Sequence, residues 1–282
     1  MEAGKTRIAI LGGKGMLGSD LVPGCRAKGF DPIIFDLPEF DITNTDQVRQ
    51  AVSSTEMIIN CAAYTNVDGA ESESELAYRI NAEAVGRLGA IVRDAGKWLL
   101  HISTDFVFDG RSDAPYTETD PADPINAYGK SKLAGERLLT QSGCRHCIVR
   151  VEWTYGSAGN NFVTKLMQRA RAGKALKVVD DQIGSPTATT EVSKAICELL
   201  DQKPEGLFHF AAAGYVSRYE MAKFIVDERA LDIAVSPCKT GDFASLAARP
   251  LNSRFDCSKI QALLSEPIEH WQKPLERFLR QL

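Results

Sequence analysis

Along the first half of the chain, short apolar runs closed by turn residues alternate with longer stretches of helical period. The runs at 6–11, 31–36, 56–61, 97–103 and 146–151 predict strands; the segments 16–28, 44–53, 75–95 and 127–142 between them predict helices. TRIAIL, DPIIFD and KWLLHIS have apolar residues at successive positions, so both faces of each strand are buried, as in a parallel sheet covered by helices on both sides. Pro23 and Gly24 break the rule locally, because both disfavour a helix interior, and they predict a kink or early end to the first helix. Beyond about residue 155 the pattern loosens into helices at 160–172, 190–201, 217–229 and near 270–281, with short strands at 176–179 and 207–211. The expected architecture is α/β: a Rossmann-type doubly wound parallel sheet in residues 1–155 and a smaller C-terminal α/β substrate-binding part in 156–282. Segments at about 176–211 are expected to return to the sheet.

Composition narrows the function classes. The chain has 282 residues, 44% of them hydrophobic and 25% charged, enough for a sizeable core and outside the disordered range. Thirty-three basic against 37 acidic side chains give a net charge of −4, so no electrostatic footprint points to nucleic acid or an anionic membrane. No apolar run is long enough for a membrane span, and MEAGKTR leads straight into a strand; the expected location is the cytoplasm. Seven scattered cysteines, an odd number, read as reduced thiols. Cys144 and Cys147 form a C-x-x-C, but no second pair or histidine couple accompanies them, and no metal is assigned.

Two local patterns carry chemistry. GGKGMLG at 12–18 follows the first strand and opens the first helix, satisfying G-x-G-x-x-G through Gly13, Gly15 and Gly18 and G-x-x-G-x-x-G through Gly12, Gly15 and Gly18. Glycines there permit a tight turn and close approach of a pyrophosphate to the free N–H groups of the helix. Asp36, 18 residues after Gly18, ends the second strand where an acidic group binds an adenosine ribose. The second pattern is Tyr128-x-x-x-Lys132, which shares one helix face and would let the ammonium lower the phenol's pKa toward the range of an acid catalyst. Tyr219 and Lys223 have the same spacing, but only the first pair follows a strand ending in Ser103, Thr104 and Asp105. The second pair reads as a solvated helix face.

Glycine loop, STD and YGKSK together resemble the extended short-chain dehydrogenase/reductase superfamily. Within it NCAAYTNVDGAE (60–71), STDFVFDG (103–110), NAYGKSKLAGE (126–136), RVEWTYG (150–156), NNF (160–162), VVDDQIGSPT (178–187) and ARPLNSRFD (248–256) resemble the dTDP-4-dehydrorhamnose reductase family. The resemblance implies transfer of hydride from NADPH or NADH to C4 of a nucleotide-linked 4-keto-6-deoxy sugar, most simply dTDP-4-dehydro-L-rhamnose, in surface polysaccharide biosynthesis. It implies Tyr128 as proton donor, Lys132 on the nicotinamide ribose, and Thr104 on the carbonyl oxygen. Gly12, Gly15, Met16, Leu17 and Gly18 would hold the pyrophosphate, Asp36, Asp41 and Ile42 the adenosine end, and Ala62, Ala63 and Tyr64 the middle of the cofactor. Thr65, Val67, Asp105, Trp153 and Arg249 would contact the sugar nucleotide, with Pro250 and Asn252 shaping that side.

The chain departs from the family pattern at two places. Phe106 follows STD where tyrosine is common, and Glu152 precedes Trp153 where a small hydroxyl residue is usual, so a carboxylate is expected to alter the pocket's charge. Asp36 favours NADH, whereas Lys14 offers a partner to a 2′-phosphate. A related nucleotide-sugar epimerase or reductase, or a non-catalytic regulatory subunit like that of methionine adenosyltransferase, fits the same motifs. The expected assembly is a monomer or homodimer.

Overall fold

The computed structural model describes residues 5–243 and 245–282. Its centre is a six-stranded sheet of β1 (Arg7–Leu11), β2 (Asp31–Phe35), β3 (Met57–Asn60), β4 (Trp98–Thr104), β5 (Arg145–Val151) and, much later, β10 (Gly206–Phe210). The spatial order is β2-β1-β3-β4-β5-β10, and every neighbouring pair is parallel. All carboxyl ends therefore lie along one edge, with the order reversing beside β1, where ligands of such sheets bind.

Alternation within single strands explains the layers. Ile8 and Ile10 face one apolar layer with Leu21, Val192, Ile196 and Leu200; Ala9 and Leu11 face another with Val85, Leu88, Val92 and Leu139. The first layer is closed by α1 (Met16–Ala27) and α8 (Thr189–Gln202), the second by α2 (Thr45–Ser53), α5 (Ala84–Asp94) and α6 (Ala127–Gln141). Ile8, Ile10, Leu11, Leu21 and Leu88 are fully buried, each contributing about 1.5–3 kcal/mol relative to exposure.

Two helices differ from the sequence expectation. Helix α1 runs through Pro23 without an early end, because Gly24 allows intimate contact with α8. A Cβ at Gly24 would sit 2.6 Å from Ser193 Oγ and 3.2 Å from Cys197 Sγ. This packing outweighs the hydrogen bond lost at proline. The single helix expected at 75–95 is instead α3 (Gly69–Ser72), α4 (Ser74–Tyr78), a π-helical turn at Arg79–Glu83, and α5. Buried Asn81 in that turn accepts from Tyr64 N at 2.8 Å and donates to Tyr64 O at 3.0 Å and Ser131 Oγ at 2.9 Å. The wider turn aims this amide between the loop after β3 and helix α6, a local function that apolar periodicity does not encode.

The remaining segments form a second cluster beside the carboxyl edge. They are β6 (Thr154–Tyr155), α7 (Phe162–Arg171), β7 (Leu176–Val179), β8 (Ile183–Gly184), β9 (Thr187–Ala188), β11 (Val216–Ser217), α9 (Arg218–Glu228), β12 (Val235–Cys238) and α11 (Gln272–Leu279), while α10 (Ser258–Gln261) packs Ile260 into the first sheet layer. Helices α7, α9 and α11 enclose Val163, Leu166, Ile225, Leu275 and Trp271. No described helix is long and apolar enough to cross a membrane.

Candidate active site

A cleft of ≈ 710 Å³ opens where the loops after β1 to β5 converge. Glycine geometry builds its first wall. Gly12 has φ 76°, and a Cβ there would lie 2.7 Å from Ala62 N; one at Gly18 would lie 2.4 Å from Gly12 O. Helix α1 starts at Gly15 with no side-chain cap, and the amides of Met16, Leu17 and Gly18 find no acceptor among the described residues. These residues line the cleft, so the free N–H groups fit an anionic pyrophosphate. Ala62, Ala63, Asp41 and Ile42 lie in the same cavity.

Asp36 is fixed at the far end, accepting from Lys14 N at 2.7 Å and Leu37 N at 2.8 Å. Lys14 Nζ donates to Glu39 Oε2 at 2.8 Å and Leu37 O at 3.2 Å. Tyr64 is placed differently from its neighbours: its side chain is not among those lining the cleft, and its hydroxyl donates to Glu73.

The floor holds Thr104, Tyr128 and Lys132 together. Thr104 ends β4, while Tyr128 and Lys132 stand on the first turns of α6, whose start is capped by Asn126 Oδ1 accepting from Gly129 N at 2.7 Å. Gly135 brings this helix against the π-helical turn, since a Cβ would be 2.0 Å from Asn81 O. Lys132 Nζ donates to Ile102 O at 2.7 Å and lies 3.4 Å from His101 Nε2. Burial pulls the ammonium's pKa down to about 8, against the opposing charge of Glu136. The phenol of Tyr128 moves in the direction opposite to the sequence expectation. Burial raises its pKa above the usual tyrosine value, Thr104 only partly countering, and the Lys132 charge does not offset it. Tyr128 is thus a protonated phenol at neutral pH. Phe106 packs edge-on against its ring, centroids 5.7 Å apart.

A buried network lies beneath the floor. Glu136 accepts from Arg150 Nε at 2.9 Å and Nη2 at 2.6 Å and also from Ser103 Oγ, and Arg150 Nη1 lies 3.3 Å from His209 Nε2. These contacts tie α6 to β4, β5 and β10 and fix where Tyr128 meets Thr104. Asn81, Glu136, Arg150 and His209 escaped the sequence reading, although Glu136 stands four residues after Lys132 on the same helix face.

The other side of the cleft is built on Trp153, whose φ of 44° turns its ring onto Gly184. Thr65 and Val67 line the same cavity. Asp105 is buried, accepting from Thr104 Oγ1 at 3.0 Å and Ser253 Oγ at 2.5 Å; its pKa is raised by burial. A second pocket of ≈ 330 Å³ adjoins and shares Phe106, Trp153 and Arg218 with the cleft. Arg249 and Pro250 line it. Arg249 also binds Asp68 with both terminal nitrogens, at 3.0 and 2.8 Å, and this guanidinium holds the carboxyl's pKa down at about 2. Asn252 instead braces the fold, its amide donating to Ser112 O and Ala114 O at 2.8 and 2.9 Å.

Glu152 does not bring the charge expected of it. The side chain is 1% exposed, lines neither cavity, and has no hydrogen-bond partner at either oxygen. Burial, with Asp105 nearby, pushes its pKa well above the ordinary carboxylate range, which weakens its charge beneath Trp153.

The family model described as RmlD substrate binding domain matches residues 6–282. Among curated relatives, dTDP-4-dehydrorhamnose reductase of Aggregatibacter actinomycetemcomitans is 36% identical, the match covering 96% of this chain and 97% of the relative. Spore coat polysaccharide biosynthesis protein SpsK of Bacillus subtilis is 33% identical, with 98% of each chain covered. The solved dTDP-4-dehydrorhamnose reductase of Bacillus anthracis in complex with NADP superposes with a TM-score of 0.94 at 37% identity, covering 99% of this chain and 100% of that one. With Rossmann architecture, an intact glycine cradle and these matches over nearly the whole length, the chain belongs to the dTDP-4-dehydrorhamnose reductase family of oxidoreductases.

Proposed function

We propose that the protein reduces the C4 keto group of dTDP-4-dehydro-L-rhamnose to give dTDP-L-rhamnose for surface polysaccharide, using NADPH or NADH. The observation that carries this reading is the convergence of Thr104, Tyr128 and Lys132 on one cleft whose opposite wall offers unsatisfied helix amides. A bound reduced nicotinamide supplies hydride to the carbonyl carbon. The chain's own residues manage the charge and proton. Tyr128 Oη, kept protonated by burial, donates its proton to the carbonyl oxygen as negative charge develops there. Thr104 Oγ1 stands in the same cleft and donates to that oxygen once its hydroxyl turns from Asp105, and Lys132 Nζ, held at Ile102 O, binds the ribose. The amides of Met16, Leu17 and Gly18 take the pyrophosphate and Asp36 the adenosine ribose.

The decisive assay follows reduced-nicotinamide absorbance with dTDP-4-dehydro-L-rhamnose. Stoichiometric oxidation by the wild type is expected, with a loss of about 10²–10⁴-fold in kcat for Tyr128→Phe while cofactor affinity is retained. Wild-type turnover in Tyr128→Phe would sink the assignment. We further propose a cytoplasmic enzyme acting as a monomer or homodimer; light scattering of the purified protein reads the assembly directly.

A further inference from the structure

The two cavities meet at Phe106, Trp153 and Arg218. Arg218 is the first residue of α9, and its guanidinium lies 3.5 Å over the Trp153 ring and 4.9 Å from the Phe162 ring. Stacking fixes the plane of the fork without using its N–H donors. Among the described residues no acceptor hydrogen-bonds those donors, and Asp105 and Glu152 act on the charge only from a distance. Neither carboxyl competes for it. Asp105 is held by Ser253 and Thr104, and Glu152, buried outside both cavities, makes no hydrogen bond to the fork. Burial lowers the guanidinium's pKa to about 9, which leaves it charged at neutral pH. Arg249 is close enough to act on Arg218 as a second positive charge, but its own donors are committed to Asp68.

A charged, planar fork with no protein acceptor, open to two cavities at their waist, calls for a bidentate anion. A nucleotide sugar is ordered sugar, diphosphate, nucleoside. If the keto carbon lies over Tyr128 and Thr104, the nucleoside extends into the smaller pocket, whose walls carry Phe162 and Phe243, and the diphosphate falls at the waist. We propose that Arg218 binds the diphosphate of the nucleotide-sugar substrate and sets the preference for nucleoside diphosphate over nucleoside. The assignment rests on the substrate reading above and deepens it to one side chain.

Calorimetric titration of the full-length protein with dTDP, UDP and thymidine tests this in wild type, Arg218→Met and Arg218→Lys. Arg218→Met is expected to lose about ten- to hundredfold in affinity for dTDP, the worth of hydrogen bonds to a charged group, while its affinities for thymidine and NADPH stay at wild-type values. Arg218→Lys recovers part of the loss, as a point charge without the fork does. In turnover, KM for the nucleotide sugar rises much more than kcat falls. Equal affinity of Arg218→Met and wild type for dTDP overturns the proposal, as do a parallel loss for thymidine, which marks a stacking platform only, and a wild type that binds neither dTDP nor UDP. A wild type that binds dTDP through Arg218 but oxidises no cofactor with the keto sugar supports the diphosphate site and removes the proposed reaction instead.

Discussion

Two buried glutamates face opposite fates in this protein. Glu136, under the floor of the cleft, is bound by Arg150 through two nitrogens and by Ser103. Glu152, under the substrate side, has both oxygens empty, whereas the nearby Arg218 fork has no protein acceptor but opens onto both cavities. The first region is a closed network that sets the position of α6 before any ligand arrives. In the second, the Arg218 donors are left open onto two cavities while Glu152 stays buried behind them. Polar burial thus serves rigidity in one place and recognition in the other, and the number of partners distinguishes them.

The same substitution at the two glutamates is expected to act with opposite sign. Glu136→Gln leaves the Arg150 guanidinium, 4% exposed, without its charge partner and should destabilise the fold by about 3–5 kcal/mol in urea titrations. Glu152→Gln should instead stabilise it at pH 8. Because the folded-state pKa of Glu152 is raised, the wild type must take up a proton to fold once the unfolded carboxyl is ionised. That penalty grows as pH rises above the ordinary carboxylate value, so the advantage of the glutamine variant should shrink toward pH 4.5. A destabilised Glu152→Gln across the whole range would mean that Glu152 has a partner after all.

The floor itself titrates. With Lys132 near pKa 8, kcat/KM, which reports the free enzyme, should decline as pH rises through about 8, where the ammonium proposed to bind the nicotinamide ribose is lost. Tyr128 ionises higher, since burial raises it, and remains a proton donor across that window. Lys132→Arg keeps a charge at all these values, so its slower rate should lack the decline. An unchanged alkaline limb in the arginine variant would move the titration to another group.

Much of this was legible in the sequence because it depends on neighbours along the chain. Strand faces such as Ile8/Ile10 against Ala9/Leu11 and the glycine turn at 12–18 are local patterns, and the elements expected outside 75–95 fall within two residues of the observed ones, whereas β6, β8, β9, β11, β12 and α10 were not expected. What escaped depends on contacts between distant segments. Gly24 rescues a proline-containing helix only through Ser193 and Cys197, and Asn81 widens a helix to reach Tyr64 and Ser131. Glu152 looked like a pocket charge because its neighbour Trp153 lines the cavity; the left-handed turn at Trp153 sends the two side chains to different places. Arg218 lay in a pair-bearing helix read as a solvated face, since nothing local shows that its first residue reaches Trp153.

The smallest expected effect concerns the adenosine end, where a paired and a fixed charge sit side by side. Lys14 and Glu39 form a 2.8 Å ion pair with side chains 56% and 72% exposed, a solvent-screened contact that releases Lys14 readily toward a 2′-phosphate. Asp36 cannot turn away, because two backbone amides hold its oxygens. Repulsion from a fixed carboxylate and attraction to a mobile ammonium therefore oppose each other for NADPH and are both absent for NADH. Lys14→Ala should lower kcat/KM for NADPH by about fivefold or less, leaving NADH unchanged, and Glu39→Gln should raise the NADPH value without altering the melting temperature. Parallel losses for both cofactors in Lys14→Ala would instead assign the lysine to the glycine loop's own conformation, through the amide it donates to Asp36.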